Sequence, residues 1–114
     1  MLLLDGQALL WLPDDSPRLG PQASQAIKSA QGVHVSAATA WELTIKSMLG
    51  KLTVPHDLSK RLPGQGLELL SVTAEHAEAI REFPEPIQHD PFDRLIVAQA
   101  SRAGLQLLPS GSRE

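Results

Sequence analysis

Apolar and polar positions fall along this chain in blocks whose spacing changes between strand-like and helix-like. Leu2 to Leu4 form a short apolar run, which predicts a buried strand. Gly6 to Leu12 predict a helix stopped by Pro13, and the loop DDSPRLG leads to a second helix over 21–30 with Pro21 at its start. Val33 to Ser36 predict a second strand. From Ala37 to Leu49 the spacing is helical: Ala38, Trp41, Ile45, Met48 and Leu49 share one stripe, and Gly50 ends the segment. Residues 51–61 read as a proline-interrupted loop with a short helix. Leu67 to Val72 predict a third strand. Ala74 to Phe83 predict a helix closed by Pro84 and Pro86. Pro91 to Ala103 predict a strongly apolar helix ended by Gly104, and Leu105 to Leu108 a last strand.

Strands alternating with helices imply an α/β domain whose parallel sheet is covered on both faces. At 114 residues, with no repeat, long linker or low-complexity run, one domain over 1–114 is expected. That length buries a core without a disulfide or structural metal. In such sheets ligands bind beyond the carboxyl ends of the strands. Asp5 stands at that end of the first strand.

Composition narrows the chemistry. The absence of cysteine excludes a disulfide scaffold and thiolate zinc sites, and fits a reducing cytoplasm. The start, MLLLDGQALLWLPDD, lacks a leading basic region and is interrupted by Asp5. It reads as strand then helix rather than as a signal peptide or membrane span. The formal charge is −3, whereas proteins that wrap nucleic acid are usually basic. Any RNA contact must therefore be local or metal-assisted. The chain has no Tyr and few aromatics, which argues against a base-stacking platform.

The candidate chemistry lies in separated carboxylates. Asp5 has two readings: N-cap of the helix that starts at Gly6, or metal ligand. Glu42 lies about 100° round its helix from Trp41, at the border of the apolar stripe. There it either pairs with Lys46 at i,i+4 or faces a site. Asp90 and Asp93 flank Pro91 as a cap and an acid in the first helical turn, both suited to the helix dipole. Of the two, Asp93 is better placed to face a cleft. Gathered in one place these acids repel each other unless a cation neutralises them. Mg²⁺ or Mn²⁺ suits oxygen-only ligands, bridges to phosphate and can activate a water. Lys46 and Arg94 flank the acids and either contact a phosphate or balance local charge.

Other chemistries find less support. His34, His56, His76 and His89 lack metal-pair spacing, and Ser36 and Ser110 lack a nucleophile elbow. No glycine-rich phosphate loop is present. A phospho-acceptor receiver domain would need paired acids at the first strand and a Lys after a late strand.

The segments LLLLDGQALLWL, VSAATAWELTIKSMLGKL and HDPFDRLIVAQA resemble the signatures of PIN-domain proteins, specifically VapC-type toxins of bacterial type II toxin–antitoxin pairs. The resemblance runs from Met1 to about Leu108. It implies a three-layer α/β/α sandwich with a parallel sheet. It also implies a cytoplasmic Mg²⁺- or Mn²⁺-dependent endoribonuclease, a homodimer, and a small VapB-type antitoxin covering the acidic cleft. Residue by residue, Asp5 matches the first-strand acid, Glu42 the acid of the WE helix and Asp93 the acid of the later helix. Asp90 matches an extra acid of the subgroup. Asp5, Glu42 and Asp93 are thus the expected catalytic acids, and Asp5, Glu42, Asp90 and Asp93 the expected metal ligands.

The chain departs from the pattern at three places. Gly6 and Gln7 stand where the family usually has Thr followed by His, Asn or Ser. Gly111 falls where a fourth acid is expected. The chain ends at Glu114, before the family's usual terminal helix and strand, so a shortened C-terminal end is expected. These departures keep a second reading open, in which a degenerate domain serves only as an antitoxin-binding or dimerisation module.

Overall fold

The computed structural model describes residues 1–11, 20–82 and 91–108. In chain order it contains β1 (Leu2–Leu4), α1 (Gly6–Trp11), α2 (Pro21–Ser29), β2 (Val33–Ser36), α3 (Ala37–Met48) and α4 (Leu58–Arg61). A 3-10 turn (Pro63–Gln65) precedes β3 (Glu68–Leu70). Then come α5 (Ala74–Glu78), which tightens into a 3-10 turn (Ala79–Glu82), α6 (Pro91–Ala103) and β4 (Gln106–Leu108). The four strands form one parallel sheet in the order β3-β2-β1-β4. Leu3 of β1 pairs with His34 on one side and Leu107 on the other, so the first strand is central.

Alternation along the strands divides the core into two layers. Leu2, Leu4, Val33, Val35 and Leu108 face one side and pack with Ala8 and Leu9 of α1, Leu43 of α3, and Ala26 and Ile27 of α2. Leu3 faces the other side and packs with Ala38, Ile96 and Ala100. Both faces are covered, as the alternating pattern and the resemblance led us to expect. The arrangement is the α/β/α sandwich.

Helix α3 follows β2 with no intervening loop. Ser36 ends the strand and caps the helix, its hydroxyl accepting from the Ala38 N–H at 3.0 Å. The helix gives Ala38 to one core layer and Leu43 to the other. It therefore passes over the end of the sheet instead of lying along one face, which brings Glu42 near the end of β1. The same placement corrects the predicted stripe. The buried residues of α3 are Ala38, Thr39 and Leu43, while Trp41, Met48 and Leu49 are exposed. A helix that bridges two core layers buries the side facing the sheet end, and the bulkiest apolar residues lie elsewhere. Trp41 instead meets Phe92 of α6 edge-on, with ring centroids 5.0 Å apart.

Other differences are local. The third strand is shorter than the predicted 67–72 run, with Leu67 buried before it. The helix predicted over 74–83 is α-helical only to Glu78. Its start is fixed by a capping box in which Thr73 and His76 exchange side-chain and backbone hydrogen bonds at 3.1 and 3.2 Å. Asp90, His89, Ser110, Gly111 and Glu114 lie outside the described residues, as do Leu12, Phe83 and residues 14–19 of the DDSPRLG loop.

Candidate functional site

A cleft of about 200 Å³ opens at the carboxyl end of the sheet. Its walls are Asp5, Gly6, Gln7 and Leu10 from the start of the chain, Glu42, Leu43 and Lys46 from α3, Leu52, and Asp93 from the first turn of α6. Three carboxylates separated by 37 and 51 residues thus line one depression.

Asp5 occupies the end of the central strand. Its N–H continues the ladder to the Leu108 carbonyl at 2.8 Å. Its Oδ1 accepts from the Ala8 N–H at 2.9 Å and so caps α1. The residue is only 8% exposed. The two readings of Asp5 are therefore compatible: one oxygen caps a helix while the carboxylate lines the cleft.

Glu42 is held as the helical spacing predicts. Its Oε2 accepts from Lys46 Nζ at 3.0 Å, one turn along α3. The Glu42 side chain is 12% exposed and that of Lys46 41%. Lys46 lines the cleft and pairs with Glu42 there. Arg94, half-buried on α6, is absent from the described lining.

The donor set is oxygen only and collected at a sheet end, which fits a hard divalent cation in kind. Among the described residues, however, no three His, Asp or Glu side chains stand close enough to hold one ion as they are placed. Lys46 supplies part of the neutralising charge instead.

Two buried polar groups escaped the sequence reading. Thr39, one turn before Glu42 and Leu43, is 1% exposed, and its hydroxyl has no hydrogen-bond partner among the described residues. Gln99 of α6 is fully buried. Its Nε2 donates to the Ser71 carbonyl at 3.0 Å and lies 3.3 Å from His76 Nδ1. A single amide within the apolar run of α6 was the available signal. Gln99 ties the chain after β3 to the helix that carries Asp93. His34 bonds the Leu2 carbonyl region at 3.3 Å and approaches Glu68 at 3.4 Å, a structural role between strands.

Comparison with known proteins agrees with the architecture. The family model described as PIN domain matches residues 2–113. Ribonuclease VapC22 of Mycobacterium tuberculosis (strain ATCC 25618 / H37Rv) is 28% identical over 114 residues, covering 98% of this chain and 88% of that protein. A toxin–antitoxin complex from Klebsiella pneumoniae contains a chain of the same fold, with a TM-score of 0.63 and 17% identity. That match covers 94% of this chain and 83% of the other.

Proposed function

This chain belongs to the PIN-domain family, and from that premise we propose that it is a divalent-metal-dependent endoribonuclease, the toxin of a type II toxin–antitoxin pair. The observation that carries the reading is the cleft that gathers Asp5, Glu42 and Asp93 from three separate elements. The similarity to a ribonuclease relative over nearly the whole chain supports it.

In this reading the 114 residues form a single cytoplasmic domain. Among the described residues no helix is long and apolar enough to cross a membrane. Asp5, Glu42 and Asp93 would hold Mg²⁺ or Mn²⁺, with Asp90 as a further acid. When bound, such an ion supplies activation of a water and neutralisation of charge on the phosphodiester. The protein's own residues set the geometry. The α1 cap fixes the Asp5 carboxylate, α3 carries Glu42 across the sheet end, and the first turn of α6 brings Asp93 to the same cleft. Lys46 places a cation beside the acids, where it can meet an RNA phosphate in a chain that is otherwise net negative. The proposed partners are an RNA substrate, a VapB-type antitoxin over the cleft and a second copy of the chain.

The spread of the acids favours a second reading, a binding or dimerisation module without catalysis. Gly6 and Gln7 in the cleft wall point the same way. Incubation of total bacterial RNA with the protein and Mn²⁺, with and without EDTA, separates the two. Cleavage that EDTA and Asp93→Asn both abolish supports the nuclease. Intact RNA under all conditions, with retained antitoxin binding, supports the module.

A further inference from the structure

The outer face of α3 has the composition of a helix that packs, yet it faces solvent. Its positions are Ala37, Ala40, Trp41, Thr44, Ile45 and Met48, with no charge among them along the helix. The charged residues of α3, Glu42 and Lys46, stand on the cleft side. Trp41 is 60% exposed, Met48 81% and the adjoining Leu49 64%. At those exposures the three side chains alone present on the order of 400 Å², half of what each partner buries in a standard-size interface. Continuous apolar patches of that size on a small domain are commonly interaction surfaces.

Two features identify the occupant. Charge separates nucleic acid from protein. An RNA surface needs Lys or Arg to meet phosphates, and this face has neither. Interface cores are poor in charge and rich in Trp, Phe and Met. Shape then points to a second copy. Trp41 is a projecting knob, steadied edge-on by Phe92 with ring centroids 5.0 Å apart. About 10 Å further along the same helix lies a groove of about 400 Å³, walled by Thr44, Ser47 and Met48 on α3 and by Val54, Pro55 and His56 opposite. A knob and a socket at opposite ends of one helix face are self-complementary under a two-fold rotation.

We infer that two copies of this chain pair through α3, antiparallel about an axis passing near Thr44 and Ile45, with each Trp41 seated in the other copy's groove. The inference rests on the second copy proposed above and not on the nuclease chemistry. The seam excludes Glu42 and Lys46, so each acidic cleft lies beside it rather than under it.

The test is sedimentation velocity of the full chain at about 1 µM and about 100 µM, with a dissociation constant of about 10 µM expected for an interface at the small end of the specific range. Thr44→Glu, Thr44→Lys, Met48→Lys and Trp41→Ser are compared, each checked for folding by circular dichroism. Association stabilises the native state by mass action, so any effect of Trp41 on folding itself is read at the lower concentration. The unaltered chain is expected to be dimeric at the higher concentration. Thr44→Glu and Thr44→Lys, which set like charges against each other across the axis, should each pair at least about tenfold more weakly, and an equimolar mixture of the two should pair again. Should either Thr44 variant not fold, loss of pairing in Met48→Lys and Trp41→Ser carries the test. Undiminished pairing of the folded variants overturns the face while leaving the second copy standing, and a mixture that stays monomeric overturns the two-fold arrangement. A monomeric unaltered chain at the higher concentration overturns the second copy and this inference with it. A monomer whose tryptophan fluorescence is quenched by a polyuridylate oligonucleotide, with the quenching lost in Trp41→Ser, gives the face to RNA and overturns the inference as well.

Discussion

Asp5 caps α1 and, in the proposed reading, also serves as a metal ligand, two roles that substitution can separate. Its Oδ1 accepts the Ala8 N–H at 2.9 Å in a buried setting, and α1 is only six residues long. Asp5→Ala removes the cap, which typically costs about 1 kcal/mol. It also leaves a buried donor unsatisfied, so the loss should reach about 2 kcal/mol. For a chain of this size that lowers the melting temperature by about 8 °C. Asp5→Asn keeps a side-chain oxygen at the same place, and Asn caps about as well as Asp. It also removes one of three mutually repelling carboxylates. Its stability in EDTA should therefore stay within about 0.5 kcal/mol of the unaltered protein. Urea denaturation with and without Mn²⁺ reads both jobs at once. At a free Mn²⁺ concentration about ten times its dissociation constant, binding stabilises the native state by about 1.4 kcal/mol. The unaltered chain should gain that increment and Asp5→Asn should not. Equal destabilisation by Asn and Ala would refute the capping argument. A full Mn²⁺ increment in Asp5→Asn would refute the ligand argument.

Three further outcomes follow from the packing. Thr39→Val replaces a buried hydroxyl that has no partner among the described residues, and urea denaturation should show a gain of about 1 kcal/mol. Trp41→Ala should cost no more than about 1 kcal/mol, because the ring is 60% exposed and its main contact is edge-on to Phe92; a loss of about 3 kcal/mol or more, typical of a buried aromatic, would contradict its placement. Gln99→Glu puts an ionisable group where the amide now donates to Ser71. Burial and that carbonyl raise the folded-state pKa of the new carboxyl above its unfolded value. The variant should therefore be least impaired below the unfolded pKa and lose stability as pH rises through the folded one. Urea denaturation relative to the unaltered chain at about pH 4 and about pH 8 checks the direction, with a loss of about 3 kcal/mol expected at the higher pH.

Much of the fold was legible from local pattern. The apolar run at Leu2–Leu4, the proline that opens α2 and the glycines that end α3 and α6 are short-range signals, and the structure places elements where they predict. Gly50 and Gly104 adopt φ of 78° and 72°, backbone that residues with a Cβ rarely adopt. The stripe on α3 was misread because periodicity identifies an apolar side without saying what the helix packs against. Once α3 crosses the sheet end, small Ala38 and Thr39 contact the interior and Trp41 does not.

The candidate site divides the same way. By itself the sequence determined which chemistry was available: separated carboxylates, no thiols, and a capping context for Asp5. It also determined the Glu42–Lys46 pair, because i,i+4 geometry is a property of any helix. Only the tertiary structure decided that Asp5, Glu42 and Asp93 share one cleft, and that Thr39 and Gln99 are buried polar groups. Those facts depend on strand order and on α3 crossing the sheet end. Contacts between residues dozens of positions apart are set by how layers pack, which local spacing does not encode.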